Sequence, residues 1–302
     1  MKLEAAIKEY LIEIEIRKYT PKTIRGYKSN FYLFLHFIQK DTPEIDDLTL
    51  ADVRRFTKYM VDRGNKGTYI NGILKTLKSF IQYCYEEGYG GFNTKKSFKW
   101  CKEEKPVILA YKPKDVRSML KECGGSGYYD IRDKTIITMF IETGIRNSEL
   151  CNIKPEDIHN DFILINGKNH KQRVVPVTPI LKKAMVKYDR EKEKYFAIRQ
   201  VENYYFLSRT GRRLTPEANE NILKKRGSEI CGIRVSPHTC RHFYAQQQLQ
   251  MGTDLYTISR LLGHENKMIV KVMADQKERE DKLYTELGEC RVINEKAITT
   301  IA

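Results

Sequence analysis

Long apolar runs are absent from this chain of 302 residues, so the sequence predicts no membrane-spanning helix. A signal-like segment is also lacking at the start, where Lys2, Glu4, Lys8 and Glu9 interrupt the apolar residues. We therefore expect a soluble, cytoplasmic protein that does not act at a membrane.

Closely spaced cysteines are lacking as well. The seven cysteines are scattered and include no C-x-x-C pair, so neither a disulfide framework nor a zinc ribbon is indicated. This pattern is typical of a reduced, intracellular compartment. The glycine-rich stretch at 124–127 lacks the Lys-Ser/Thr that follows a phosphate-binding P-loop, which excludes that motif.

Acidic residues are fewer than basic ones. The chain has 54 Lys and Arg against 39 Asp and Glu, a formal net charge of +15 that is spread along the sequence. A basic globular protein of this kind favours polyanions, and nucleic acid is the first candidate. Charge alone does not choose between DNA and RNA, and it is also compatible with a merely basic soluble protein.

Apolar periodicity divides the chain into two parts. Four amphipathic helices are predicted in the first ninety residues, at 3–17, 22–38, 48–62 and 67–87. The stretch 88–105 is rich in glycine and charge, which is typical of a linker. We therefore predict an all-α domain with its linker at 1–105 and a second domain at 106–302.

The second part combines helices with a β-hairpin. Strands are predicted at 161–166 and 173–177, joined by a loop that carries Lys168 and Lys171. Helices are expected at 114–121, 130–143, 182–200 and 218–230, and a short strand with a basic loop at 206–213. The expected fold class is mainly α with a small antiparallel sheet.

A cluster of basic side chains follows at 238–242. In a helix, His238, Arg241 and His242 stand at i, i+3 and i+4 and thus share one face. Ser236 is a plausible N-cap and Pro237 suits the first turn, so the cluster lies at the positive end of a helix dipole. Arginine and imidazole at such a position indicate phosphate binding or phosphoryl chemistry.

The histidine pair has two other interpretations. A zinc site is disfavoured because Thr239 stands where a zinc protease carries its catalytic Glu, and no nearby Cys/His spacing completes a structural site. A hydrogen-bonded structural pair of histidines remains an alternative. A metal-dependent nuclease is a further option, but no carboxylate cluster accompanies the basic residues.

Four motifs resemble those of the tyrosine recombinase, or phage integrase, family, and they occur in the family's order. They are Thr143-Gly-Ile-Arg-Asn-Ser-Glu-Leu150, Gly167-Lys-Asn-His-Lys-Gln-Arg173, His238-Thr-Cys-Arg-His242 and Leu262-Gly-His264. The N-terminal helices also look like the family's SAM-like core-DNA-binding domain. The resemblance therefore implies an all-α N-terminal core-DNA-binding domain followed by an α+β catalytic domain.

The resemblance also implies a mechanism. A tyrosine would attack a DNA phosphodiester and form a 3′-phosphotyrosine, with no metal and no cofactor. By motif match, Arg146 and Arg241 would bind the scissile phosphate, and Lys168 would donate a proton to the leaving oxygen. His238 would assist acid–base transfer, and His264 would hydrogen-bond the phosphate.

Further roles and partners follow from the same resemblance. Glu149 and His242 would orient the residues that touch the phosphate, and Lys171 would contact DNA. The expected partner is double-stranded DNA, bound by two domains and by a homotetramer on paired sites. The expected function is site-specific recombination or integration of a mobile element.

The chain departs from the family at the nucleophile. The family's tyrosine lies nine positions after the Leu-Gly-His histidine, and Met273 stands there in this chain. The next tyrosine is Tyr284, which is about 16 Å further along a straight helix. Three explanations stay open: an inactive DNA-binding regulator, attack by Tyr284 in cis or in trans, or a tail from an altered reading frame.

Overall fold

The computed structural model describes residues 1–38, 44–95, 98–103, 111–167, 172–231 and 235–263, with the backbone alone for 228–231. The chain divides into two compact units, Met1–Pro106 and Val107–Ala302. Within the described ranges, no helix is both long and apolar enough to cross a membrane. The predicted fold class, mainly α with a small antiparallel sheet, is confirmed.

The first unit contains four helices. They are α1 (Leu3–Ile16), α2 (Pro21–Ile38), α3 (Leu50–Asp62) and α4 (Gly67–Glu86). Their apolar faces meet in a core with many aromatic rings: Phe34 packs edge-on against Phe56 at 5.1 Å, and Phe31 against Phe80 at 5.2 Å. The 3.6-residue periodicity seen in the sequence therefore marks the buried faces.

The predicted linker is partly packed onto α4. The buried Asn71 side chain donates a hydrogen bond to the Cys101 carbonyl (2.9 Å) and accepts one from the Cys101 amide (2.8 Å). These two bonds fix the backbone of the 98–103 segment where it passes the start of α4. The described part of the linker is thus irregular but attached to the first unit.

The second unit surrounds a central helix with the other elements. Its helices are α5 (Pro113–Glu122), α6 (Tyr128–Thr143), α7 (Asn147–Asn152), α8 (Pro179–Tyr195), α9 (Pro216–Cys231), α10 (Pro237–Gln250) and α11 (Leu255–Leu262). The central one, α6, packs against α8 on one side and α10 on another. Ile136, Ile137 and Phe140 are fully buried, so α6 is apolar nearly all round, as expected for a helix inside a core.

The predicted hairpin is present as β1 (Phe162–Asn166) and β2 (Gln172–Pro176), paired antiparallel. The register places Ile163 opposite Val175 and Ile165 opposite Arg173. Because strand residues alternate between two faces, Arg173 lies on the same face as the buried Val175.

Two sequence predictions in this unit were wrong in detail. The helix predicted at 182–200 is Pro179–Tyr195: it begins earlier because the Thr178 hydroxyl caps it by accepting from the Leu181 amide at 3.2 Å, with Pro179 in the first turn. The strand predicted near 206–213 is only an isolated bridge between Leu207 and Arg213.

Candidate active site

The first part of the site is the turn between α6 and α7. Gly144 ends α6 in the left-handed conformation, with φ of 58°. A Cβ there would lie 2.6 Å from Cδ1 of Tyr244 and 2.7 Å from Cδ2 of Leu262, so both the backbone angle and the close packing require glycine. The turn brings Arg146 to the N-cap of α7, where its side chain remains 39% exposed.

Glu149 fixes the Arg146 side chain and its backbone together. One carboxylate oxygen accepts from the Arg146 amide at 2.9 Å, and the other accepts from Nη1 of Arg146 at 2.8 Å. The Glu149 side chain is only 6% exposed. Glu149 thus holds both the backbone and the side chain of Arg146.

The same carboxylate binds a second arginine, Arg173, which ends the 167–173 motif and for which the sequence predicted no role. Nη1 and Nη2 of Arg173 donate to the two Glu149 oxygens at 2.8 and 2.7 Å, and the Arg173 side chain is 12% exposed. Burial acts to raise the pKa of Glu149, but the hydrogen bonds and charges of Arg173 and Arg146 outweigh it and lower the pKa to about 2. Glu149 is therefore ionised across the physiological range.

The His-Arg-His cluster begins α10, as predicted. The Ser236 hydroxyl caps the helix by accepting from the Thr239 amide at 3.2 Å, and Pro237 occupies the first turn. His238 is exposed and His242 is buried, and their Nε2 atoms are 2.9 Å apart, within hydrogen-bond distance. One ring can therefore donate to the other, which would orient His238.

Arg241 is the most deeply buried of the three described arginines, with 4% of the residue exposed. Nη1 donates to the Gly144 carbonyl at 2.6 Å, and Nη2 donates to the Leu262 carbonyl. Burial, followed by the charges of Arg146 and Arg173, lowers the pKa of Arg241 to about 9. The group still carries its charge at neutral pH.

The three arginines meet at the C-terminal end of α11. Arg173 Nε donates to the Leu261 carbonyl at 2.9 Å, Arg241 to that of Leu262, and Arg146 Nη2 to that of Gly263 at 2.8 Å. Carbonyls at a helix C-terminus carry partial negative charge, so they hold cations without neutralising them. Together with Glu149, the three arginines form a group of four side chains in which positive charge predominates, and a tetrahedral anion is the ligand that suits it.

The structure brings together five residues of the predicted site region in two contact groups. Arg146, Glu149 and Arg241 converge around α11, and His238 pairs with His242. Lys168, Lys171, His264, Met273 and Tyr284 lie outside the described residues. Among the residues that the structure does describe, no group of three His, Cys, Asp or Glu side chains could hold a metal ion.

Comparison with known proteins shows the family. The phage integrase family matches residues 111–279, and its N-terminal SAM-like domain matches residues 7–88. The tyrosine recombinase XerC of Thermodesulfovibrio yellowstonii is 29% identical over 272 residues, which cover 85% of this chain and 87% of that protein.

Solved structures show the same fold. A lambda integrase (75–356) dimer bound to a COC′ core site aligns with a TM-score of 0.73 at 16% identity, covering 92% of this chain and 97% of that one. A lambda integrase tetramer bound to a Holliday junction aligns with a TM-score of 0.71 at 16% identity, covering 90% and 77% respectively.

Proposed function

Because this chain belongs to the phage integrase family of tyrosine recombinases, we propose that it is a site-specific recombinase that cuts and rejoins double-stranded DNA. The observation that carries this proposal is the convergence of Arg146, Arg173 and Arg241 on three consecutive carbonyls at the end of α11. Three guanidinium groups compensated by one carboxylate would bind a phosphodiester and the extra negative charge of its transition state. The mobile-element origin and the cytoplasmic location belong to the same proposal.

Each predicted residue has a role in the proposed reaction. A tyrosine oxygen attacks phosphorus, the 5′ oxygen of the DNA leaves, and a 3′-phosphotyrosine results. Arg146 and Arg241 stabilise the non-bridging oxygens, and Lys168 protonates the leaving oxygen. His238, oriented by His242, assists the proton transfers.

The remaining roles concern the phosphate and the nucleophile. His264 hydrogen-bonds the phosphate, Glu149 keeps Arg146 in place, and Lys171 contacts DNA. The nucleophile is a tyrosine outside the described residues, with Tyr284 supplied in cis or in trans as the candidate. No cofactor is required, since the phosphotyrosine bond conserves the energy of the broken one.

The first unit serves DNA binding in this proposal. Lys22 and Arg25 are exposed on α2, whose opposite face buries Phe31 and Phe34. Such a one-sided basic helix fits contacts to the DNA backbone. We propose that the domain at 1–105 binds core DNA, that the domain at 106–302 carries the chemistry, and that four copies assemble on paired sites. The lambda integrase complexes named above support this assembly by their likeness in fold.

A second candidate function is favoured by one observation, the methionine at position 273. A recombinase fold without its nucleophile would occupy recombination sites without cutting them and would act as a DNA-binding regulator. Against this, Arg146 and Glu149 are hydrogen-bonded to each other, and the buried Arg241 donates to the Leu262 carbonyl. This ordered arginine cluster argues for the catalytic function, because simple binding does not need it.

A covalent-trapping assay separates the two functions. A DNA site is first selected from a random duplex pool retained by the protein, and a nicked version of that site is then incubated with the chain and denatured. The recombinase proposal expects a protein–DNA adduct that maps to a tyrosine. Tight binding without an adduct supports the regulator and overturns the recombinase.

Arginine variants test the assigned roles in the same assay. Arg146→Ala or Arg241→Ala should abolish the adduct while DNA affinity stays within about tenfold, because each contacts one phosphate among many. An exposed arginine on α8, Arg190, provides the matched control Arg190→Ala. Loss of all DNA affinity in both active-site variants would contradict this division of roles.

A further inference from the structure

The position of Arg173 does not fit a direct contact with DNA. Its side chain is 12% exposed, and its three nitrogens all donate within the protein, to Glu149 and to the Leu261 carbonyl. It is therefore turned inward, onto the group that also holds Arg146. A residue so placed acts on the reacting groups through another residue.

The shared partner is one carboxylate oxygen. Oε1 of Glu149 accepts from Nη1 of Arg146 and from Nη1 of Arg173, each at 2.8 Å. If Arg173 were absent, the carboxylate and Arg146 would form a neutral pair, and the attraction of Arg146 for an anion would be largely cancelled at close range. With Arg173 present, the Glu149 charge is divided between two guanidinium groups.

Arg173 is also bound to the end of α11. Its Nε donates to the Leu261 carbonyl, and a Cβ on Gly263 would lie 3.2 Å from its Cδ and Nη1. The Gly263 carbonyl accepts from Arg146. One side chain thus touches both the carboxylate and the helix end that position Arg146.

We propose that Arg173 is a positioning residue that offsets the charge of Glu149, so that Arg146 keeps its positive charge available to the scissile phosphate. This inference rests on the proposed function, because it assigns the anion at Arg146 to a DNA phosphate. It separates two effects of Glu149: the carboxylate fixes Arg146 in space, and Arg173 removes the electrostatic cost of that fixation.

Tungstate, a tetrahedral dianion, is the probe, and its affinity is measured by calorimetry at constant ionic strength. Arg146→Gln should remove the titration, which identifies the site. Arg173→Gln should weaken tungstate binding about tenfold, the order expected when one charge is lost several ångströms from a dianion in a partly buried site. Arg173→Lys, which keeps the charge but loses the bidentate geometry, should bind tungstate more tightly than Arg173→Gln.

The double variant Glu149→Gln/Arg173→Gln distinguishes charge offset from mere structure. It restores the charge balance around Arg146 and leaves no unpaired buried ion, and the glutamine oxygen at 149 can still accept from Arg146, so binding should be tighter than in Arg173→Gln and approach that of the wild type. It also keeps the test valid if Arg173→Gln alone does not fold. The exposed Arg190→Gln variant makes the same change of net charge elsewhere and should bind tungstate as the wild type does.

Four results would overturn the proposal. The first is a tungstate affinity of Arg173→Gln equal to that of the wild type, and the second is a double variant that binds tungstate no more tightly than Arg173→Gln. The third is an Arg173→Lys variant that binds as weakly as Arg173→Gln. The fourth is a wild type whose tungstate binding does not depend on Arg146. The measurement requires no DNA cleavage. A chain that fails the covalent-trapping assay and still shows the expected order with tungstate would refute the recombinase function and leave the charge offset standing.

Discussion

Gly144 is the position where one added methyl group should disturb the candidate site most clearly. Its φ of 58° disfavours any side chain, and a Cβ would lie 2.6 Å from the Tyr244 ring and 2.7 Å from Leu262. Its carbonyl accepts a hydrogen bond from Arg241 at 2.6 Å. We expect Gly144→Ala to destabilise the second unit and to shift the acceptor of Arg241.

The magnitude has three parts. A left-handed backbone costs an alanine about 1–2 kcal/mol. Overpacking against a buried ring and a buried leucine adds about 1–3 kcal/mol. The reduced freedom of the unfolded chain returns roughly 0.4–1 kcal/mol. The expected net loss is therefore about 1–5 kcal/mol, to be measured by hydrogen exchange of the α6 and α10 amides.

Gly252 provides the matched control. It also has a positive φ, 81°, but a Cβ there meets nothing within 4 Å. Gly252→Ala should thus show the backbone cost without the overpacking, and the difference between the two variants isolates the contact with Tyr244 and Leu262. Equal losses of protection in the two variants would refute the packing argument. The single tryptophan, Trp100, lies in the first unit, and its fluorescence should not change in either variant.

Three further predictions concern stability. The pKa of Glu149 is lowered to about 2, so its contribution to the free energy of unfolding is complete above about pH 5 and is lost as the pH falls toward 2. Glu149→Gln should therefore lower the free energy of unfolding at pH 7 and make it decline less steeply in acid. An unchanged decline in acid would contradict this. Ser236→Ala removes the cap of α10 and should lower the free energy of unfolding in urea by about 1 kcal/mol. A loss below roughly 0.3 kcal/mol would count against a stabilising cap. Asn71→Ala leaves the backbone at 101 without its side-chain partners and should cost about 1–3 kcal/mol and change Trp100 emission; unchanged stability and emission would contradict the role of these two bonds.

Local signals in the sequence were sufficient to predict most of the helices and the exact start of one of them. Phe31 and Phe34 recur at helical spacing because a helix must bury one face, and both are buried. Ser236 followed by Pro237 predicted the start of α10, since capping depends on neighbouring residues alone. Helix ends with no local stop signal were predicted poorly: α8 stops at Tyr195, although no proline or glycine follows it before Gly211.

The role of Arg173 could not be predicted, because its partners are remote in the chain. Glu149 is 24 residues away and the Leu261 carbonyl 88 residues away, and a backbone acceptor leaves no mark in the sequence. One signal was available. The two-residue period of β2 places Arg173 on the face of the buried Val175, and an arginine on the inner face of a strand requires a partner.

The end of α11 explains how a buried arginine cluster can remain ready for an anion. If Arg146, Arg173 and Arg241 were each paired with a carboxylate, the site would be neutral and a phosphate would have to displace an ion pair. Here three carbonyls, of Leu261, Leu262 and Gly263, satisfy the guanidinium groups by hydrogen bonds, while one carboxylate orients two of them. The donors are thus ordered before an anion arrives, and most of their charge is still uncompensated when it binds.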